Sequence, residues 1–389
     1  EPHSLVRWRF RLQVPVDEQA SVPYYLSHPR QGGLYRWPEE REAWAMPTDP
    51  PLVHGRVVGS LVGVEGVEFW AAGRYRGVDK ATGAFVEPLQ VVPALALSLD
   101  PSSIAWPSTG GDSRVVQLTV RSYTGKELSG EAELVVPEGW TVDPSARPFS
   151  LSGPGGEIAM TFQVSPPADL PVGNVSLQGR VRTSQGDSYR QDVVLVDHPH
   201  IPGGALFPPA EAAVSLFPLA FPEGMRVGYV MGSGDGGPEA IRQMGARVDL
   251  LGAEAVRGMD LAVFDAVVLG IRAYETRPDL LAANDRFLEY VREGGTLIVQ
   301  YNKYEYPRLG VTPFPVEMAR PHDRVTDETA SVRILQPSHA VFTRPNSIGP
   351  ADFEGWVQER GLYFLRSWNA DVPPLLEMAD PGEEPKSGS

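Results

Sequence analysis

The chain contains no cysteine. That excludes disulfides, thiolate metal sites and cysteine nucleophiles together. It is also short of positive charge, with 34 Lys and Arg against 49 Asp and Glu and a formal net charge of −15. A surface of that sign does not displace the counterions of a nucleic acid, and it is repelled by an anionic membrane. No run of about 18 apolar residues occurs, so no transmembrane helix and no membrane insertion are expected. The opening EPHSLVRWRF lacks the layout of a secretion signal and reads like the middle of a strand, so a fragment is expected.

Glycine and proline are plentiful instead, 40 and 38 residues, which points to many turns and strand ends. With 42% hydrophobic residues the chain can bury real cores. Its 389 residues fit about two to four domains.

Hydrophobic patterning divides the chain into four stretches. Residues 1–95 form a β-rich unit expected to be truncated, with RWRFRLQV (7–14) and GVEFWAAGRYR (66–76) alternating as strands do. Residues 96–197 read as an immunoglobulin-like β-sandwich. The strands VVQLTVRSYTG, GEAELVVPEGWTV, GGEIAMTFQVSPP, GNVSLQGRVRT and YRQDVVLVD are separated there by turn residues. Trp140, in PEGWTVDP, fits a core plug better than a sugar-stacking platform. Residues 198–224 read as a proline-rich linker.

From 225 to 389 the pattern becomes α/β. RVGYV, ARVDLLG, FDAVVLG and TLIVQYN read as strands, and PEAIRQMG and PDLLAANDRFLEYVREGG as helices. Strands apolar on both faces, alternating with helices, predict a parallel sheet of flavodoxin-like type. Pro238 suits a first helical turn and Gly294–Gly295 a C-terminal cap.

Gly232, Gly234 and Gly237 match a dinucleotide fingerprint after a strand and before a helix. Asp235 would put a carboxylate where phosphate should lie, so a tight turn is the better account. Open parallel sheets hold ligands outside the carboxyl ends of their strands. There the sequence offers Arg272, Tyr274 and Glu275, then Gln300, Tyr301 and Asn302. Further on come Asp323 and Arg324, then Trp356 and Glu359. These ten are the candidate ligand-binding residues; salt-bridged loops are the alternative reading. No G-x-S-x-G elbow is present, and His198-Pro199-His200 lacks the further ligands of a zinc site. No catalytic or metal-binding residue is assigned in this chain.

HPHIP and LFPPAEA, RVGYVMGSGDGGPEAIRQMG, VVLGIRAYETR, GGTLIVQYNKYEY, HDRVTDE and DFEGWVQERGLYF occur in that order. In that order they resemble the long C-terminal region of large bacterial PIG-L (LmbE-like) family deacetylases. The resemblance is most specific over about residues 197–385. It implies a parent enzyme that uses zinc to deacetylate N-acetylglucosamine-type substrates through an A-H-P-D-D-E motif. That motif is absent here, and the nearest string, Asp197-His198-Pro199-His200, lacks the acidic pair. Zinc therefore belongs to a preceding catalytic domain, and no cofactor is expected in this chain. The final domain is similar to class I glutamine amidotransferase and trehalose-utilisation-type domains, whose glutaminase members need a cysteine. The family pattern continues past PGEEP, so truncation is expected at the C-terminus too. An extracytoplasmic setting follows from the resemblance alone.

The leading expectation is an accessory region that binds glycan or holds its catalytic domain against a substrate. A second is a sugar hydrolase using Glu275, Asp327, Glu328 and His322 as acid–base groups. A third is a structural module for oligomer contacts.

Overall fold

The computed structural model describes residues 7–15, 18–28, 34–37, 39, 44, 49–108, 113–170, 172–198, 200–201, 203–356 and 360–388. Contacts divide the chain into two compact units. The first holds Glu1–Ser103, Gly111–Asp169 and Asn174–Val214; the second holds Ile104–Gly110, Leu170–Gly173 and Ser215–Ser389.

The first unit begins with two antiparallel hairpins, β1 (His54–Leu61) with β2 (Val64–Ala72) and β3 (Arg74–Asp79) with β4 (Gly83–Pro88). Val62 and Gly63 both take positive φ at the first turn, as a hairpin twisted to match its strands requires. Residues 7–15, expected to begin with a strand, carry no strand assignment, and Trp8, Phe10 and Leu12 are exposed.

A β-sandwich follows, built from β5 (Leu95–Asp100), β6 (Ser103–Pro107), β7 (Arg114–Ser122), β8 (Leu128–Val135), β9 (Thr141–Asp143), β10 (Arg147–Leu151), β11 (Glu157–Ser165) and β12 (Gly173–Thr183). It is completed by β13 (Ser188–Tyr189), the ribbon of β14 (Val194–Val196) with β15 (Gly204–Leu206), and β16 (Glu211–Phe217). One sheet runs β5-β7-β11-β9 and the other β10-β8-β12-β16-β6, with β13 also beside β12. Alternate residues point inward: Val116, Leu118 and Val120 of β7 are fully buried, as are Leu177 and Val181 of β12. At Gly179 the sheets come so close that a Cβ would lie 2.9 Å from Leu118 Cδ1 of the facing sheet. Trp140 is buried, as a core plug should be.

The stretch 198–224, expected as a linker, carries β15 and β16. Ala212, Val214 and Leu216 of β16 are buried and the residues between them exposed, the period of a strand with one face on a core. The end of β16 and most of β6 count with the second unit, where Ser108 N–H donates to Phe217 O at 2.8 Å.

The second unit contains β17 (Arg226–Val230), α1 (Gly237–Gln243), β18 (Arg247–Leu250), α2 (Ala253–Gly258), β19 (Ala266–Leu269), α3 (Ala273–Thr276), α4 (Pro278–Ala282), α5 (Asn284–Arg292) and β20 (Thr296–Val299). Its four strands are parallel in the order β18-β17-β19-β20. Val230, Val267, Leu269, Phe264 and Phe287 fill one core, while Val227, Tyr229 and Val268 fill another. β19, buried at all four positions, therefore packs on both faces, as its unbroken apolar run predicts. Gly294, at φ 99°, closes the end of α5, and Gly295 N–H donates to Tyr290 O at 2.8 Å.

The α/β alternation stops at β20. Short antiparallel pieces follow: β21 (Glu317–Met318), β22 (Arg324–Val325), β23 (Val332–Ile334), the turn of helix α6 (Ala340–Thr343), β24 (Gly361–Leu362), β25 (Leu365–Ser367), β26 (Leu376–Met378) and β27 (Lys386–Ser387). They pair as β21-β25, β22-β24 and β23-β26-β27 around a small core of Val325, Ala330, Phe364 and Met378.

Candidate ligand site at the strand ends

From β17 the chain moves one way to β18, then crosses to the other side of β17 to enter β19. A sheet that reverses direction in this manner leaves a crevice at the carboxyl ends of the two strands flanking the reversal. The loops there are 231–237 after β17 and 270–272 after β19, with 300–303 after neighbouring β20.

Asp235 anchors the first loop. Its Oδ1 accepts the Gly237 N–H at 2.8 Å and the Tyr229 hydroxyl at 2.6 Å. The same hydroxyl lies 3.2 Å from the Gln300 side-chain amide, so β17, its loop and β20 share one polar knot. Burial, and then the bond and charge of Asp235, push the Tyr229 phenol well above its usual range, so it stays protonated. Asp235 Oδ2 is buried and has no hydrogen-bond partner among the described residues. Gly270 faces it, where a Cβ would come within 2.9 Å. A Cβ at Gly232 would collide with the Ile271 carbonyl, to which Ser233 N–H donates at 2.9 Å. The glycines thus let two loops close on each other and on Asp235.

Arg272 sits in left-handed backbone, at φ 57°. Its N–H donates to Tyr301 O at 2.8 Å, joining the ends of β19 and β20. Its guanidinium forms a fork on Glu275, with Nε to Oε2 at 2.8 Å and Nη2 on Oε1. Lys303 Nζ stands 3.7 Å from the same carboxylate. The hydrogen bond from Arg272 is the main reason that the Glu275 carboxyl is held below its ordinary range.

Beyond Arg272 lies a cluster of rings. Tyr301, 37% exposed, meets Tyr363 at 5.7 Å between centroids. Tyr363 also contacts Tyr304 edge-on at 4.8 Å and His322 at 4.6 Å. Tyr304 Oη and His322 Nδ1 are hydrogen-bonded at 2.9 Å, and the Arg320 guanidinium lies 5.1 Å from the Tyr304 ring centre. Tyr363 is itself left-handed, at φ 60°. Its N–H donates to Asp323 O at 3.0 Å, and both Asp323 carboxylate oxygens accept from Arg366 at 2.7 Å. Those bonds hold the Asp323 carboxyl below its ordinary range.

Of the residues expected from sequence, Arg272, Glu275 and Tyr301 meet directly. Gln300 lies in the knot on Tyr229, and Asp323 is joined through Tyr363. Tyr274 is a core residue: it is 2% exposed, and its hydroxyl donates to Asn284 Oδ1 at 2.6 Å. Asn302 is also buried, its amide turned onto Gln300 O at 2.8 Å. Arg324 is exposed at the start of β22. Trp356 packs on Phe353 at 5.7 Å, with the Arg360 guanidinium 5.4 Å from its ring centre. Glu359 lies outside the described residues. Sequence reasoning missed Tyr363, Tyr304, Arg320 and Arg366; the tyrosine density of YNKYEY was the one available signal.

Among the described residues no three His, Asp or Glu side chains gather as a metal site would need. Ser233, the one hydroxyl in the 231–237 loop, donates to Ile271 O at 3.3 Å.

No family model matches the chain, and no curated protein matches it. Solved structures show slight similarity. The native conformation of E. coli alpha-2-macroglobulin matches at 15% identity and a TM-score of 0.21, over 35% of this chain and 7% of that one. WR4, a C. elegans member of the MSP family, matches at 10% identity and 0.18, over 32% of this chain and 98% of its own. The cupredoxin domain of amoB from Nitrosocaldus yellowstonii matches at 14% identity and 0.19, over 33% and 90%. Similarity of this degree carries no argument about function.

Proposed function

We propose that the second unit is a non-covalent binding module for neutral carbohydrate, serving as the accessory region of a PIG-L-type deacetylase whose catalytic domain lies outside this chain. In this reading the order β18-β17-β19-β20 is the beginning of a flavodoxin-like, amidotransferase-like sheet that keeps the crevice and lacks the attacking thiol.

One observation carries the proposal. Arg272 and Tyr363, two non-glycine residues with left-handed backbone, both hold the exposed Tyr301, Arg272 through its N–H on the Tyr301 carbonyl and Tyr363 ring against ring. Such a backbone disfavours an ordinary side chain by roughly 1–2 kcal/mol, and strain of this kind concentrates at ligand clamps. The chemistry fits a sugar. Ring faces stack on the apolar face of a pyranose, and fixed guanidinium and carboxylate forks meet neighbouring hydroxyls. Arg272 is paired with Glu275 and Arg366 with Asp323, so these two guanidiniums are already neutralised. Asp235, with one buried oxygen lacking a donor, makes the glycine loop a poor seat for phosphate.

The hydrolase reading is weaker. Hydrogen bonds from Arg272 hold the Glu275 carboxyl low, and those from Thr329 do the same for Asp327. Carboxylates kept ionised in this way are poor proton donors at neutral pH.

A glycan array tests the proposal. Wild-type protein is expected to mark neutral glycans, and the double variant Arg272→Ala, Tyr301→Ala to lose about tenfold or more of that signal. An unchanged pattern with the double variant contradicts the assignment.

A further inference from the structure

The first unit carries a second concave site, where the strand alongside β12 is interrupted. β13 pairs with Val181 and Arg182 of β12. The chain then leaves to form the β14–β15 ribbon and returns at Ala210, whose carbonyl accepts from Gly179 N–H at 2.8 Å. Between departure and return lies a cleft of about 630 Å³, within the size range of small-ligand sites.

Leu95 and Ala210, both buried, belong to its apolar floor. Pro93, Pro209 and the ring of Tyr189 add apolar walls. Exposed Gln178, Arg190, Gln191 and Glu211 line it as well. Among the described residues none of these four side chains, nor the Tyr189 hydroxyl, has a hydrogen bond or ion pair with another protein group. Nearby surface charges behave differently: Arg180 pairs with Glu133 at 2.5 Å and Arg121 with Glu157 at 2.5 Å. Part of the bordering backbone is already engaged, with Leu97 N–H on Gln191 O and Ala210 N–H on Arg190 O, both at 2.8 Å.

We infer that this cleft is a second, independent carbohydrate site, taking one or two neutral pyranose rings against Tyr189. Two planar amides, a guanidinium and a carboxylate around an apolar floor match a ligand with hydroxyls on its edge and C–H groups on its face. Arg190 and Glu211 cancel in charge, so neither an anion nor a cation is favoured. A peptide adding as a strand would need a run of open backbone groups, and the Arg190, Gln191 and Ala210 carbonyls and the Ala210 N–H are taken. The inference rests on the carbohydrate reading of the second unit for its ligand class and shares no residue with that site.

The test uses the whole chain and a panel of short neutral gluco-, galacto-, manno- and xylo-oligosaccharides, with a short peptide library and acidic sugars as further arms. Binding is read by saturation-transfer NMR and calorimetry. Arg190→Ala with Glu211→Ala changes exposed residues and keeps the fold, which a melting curve checks; Tyr189→Ala is the second variant. The expected result is neutral-oligosaccharide binding in two components, one weakened about tenfold in these variants and persisting in Arg272→Ala, Tyr301→Ala, the other the reverse. Binding lost only in Arg272→Ala, Tyr301→Ala overturns this inference and leaves the first site standing. Binding lost only in the cleft variants supports it and removes the first site. Cleft-dependent binding of peptides or acidic sugars alone, or no cleft-dependent binding at all, also overturns it.

Discussion

Tyr363 allows the strain argument to be tested by substitution. Alanine removes its ring and keeps the disfavoured backbone, whereas glycine removes the ring and the strain together. Tyr363→Gly is therefore expected to be more stable than Tyr363→Ala by about 1 kcal/mol in denaturant melts, with carbohydrate binding lost in both. Equal stability would mean that the left-handed turn stores nothing. Asp323 supplies a pH test. Its carboxyl is lowered by hydrogen bonds from Arg366, so its stabilising effect is complete above the ordinary Asp value, about 3.9, and disappears as pH falls through the lowered folded value. Near-ultraviolet dichroism of the tyrosine cluster should hold at neutral pH and change below about pH 4. In Asp323→Asn that acid transition is expected to flatten; if it persists unchanged, the pair does not order Tyr363.

At the scale of elements, β16 separates a strand from a linker. Val214 is fully buried and Ala213 beside it is exposed. Val214→Asp should cost about 3 kcal/mol or more, because it buries an unpaired charge, while Ala213→Asp should stay within about 0.5 kcal/mol. Near-silence of both in a thermal melt would return the segment to a linker. The alternation in EAAVSLF was present in the sequence, but prolines on both sides disguised it. The parallel sheet was easier to read, because runs such as AVVL, ended by a glycine and alternating with helical stretches, fit strands covered on both faces. Residues after β20 resisted reading because ladders of two or three residues are too short to show a period. The same holds for the candidate site. Arg272, Glu275 and Tyr301 follow strand ends and could be placed, whereas Tyr363 reaches them by a long-range fold-back that no local pattern announces. Tyr274 was misplaced because its strand-end position concealed its pairing with Asn284 inside the core.

For the whole molecule, the net charge of −15 discriminates between ligand classes. Anions approaching such a surface are repelled at low ionic strength, and salt relieves that repulsion. Neutral sugars feel neither effect. Affinity for a neutral oligosaccharide is expected to vary less than about twofold between low and high salt. A steep rise in affinity with added salt would point to an anionic ligand.

The account depends most on Tyr301 and Tyr363 meeting a sugar. The direct measurement is an NMR titration of ring-labelled tyrosine in the intact chain with the neutral oligosaccharide panel, assigning each ring by single Tyr→Phe variants. The account predicts saturable shifts in the Tyr301 and Tyr363 rings that vanish in Arg272→Ala. Rings that remain unmoved at saturating sugar would contradict it.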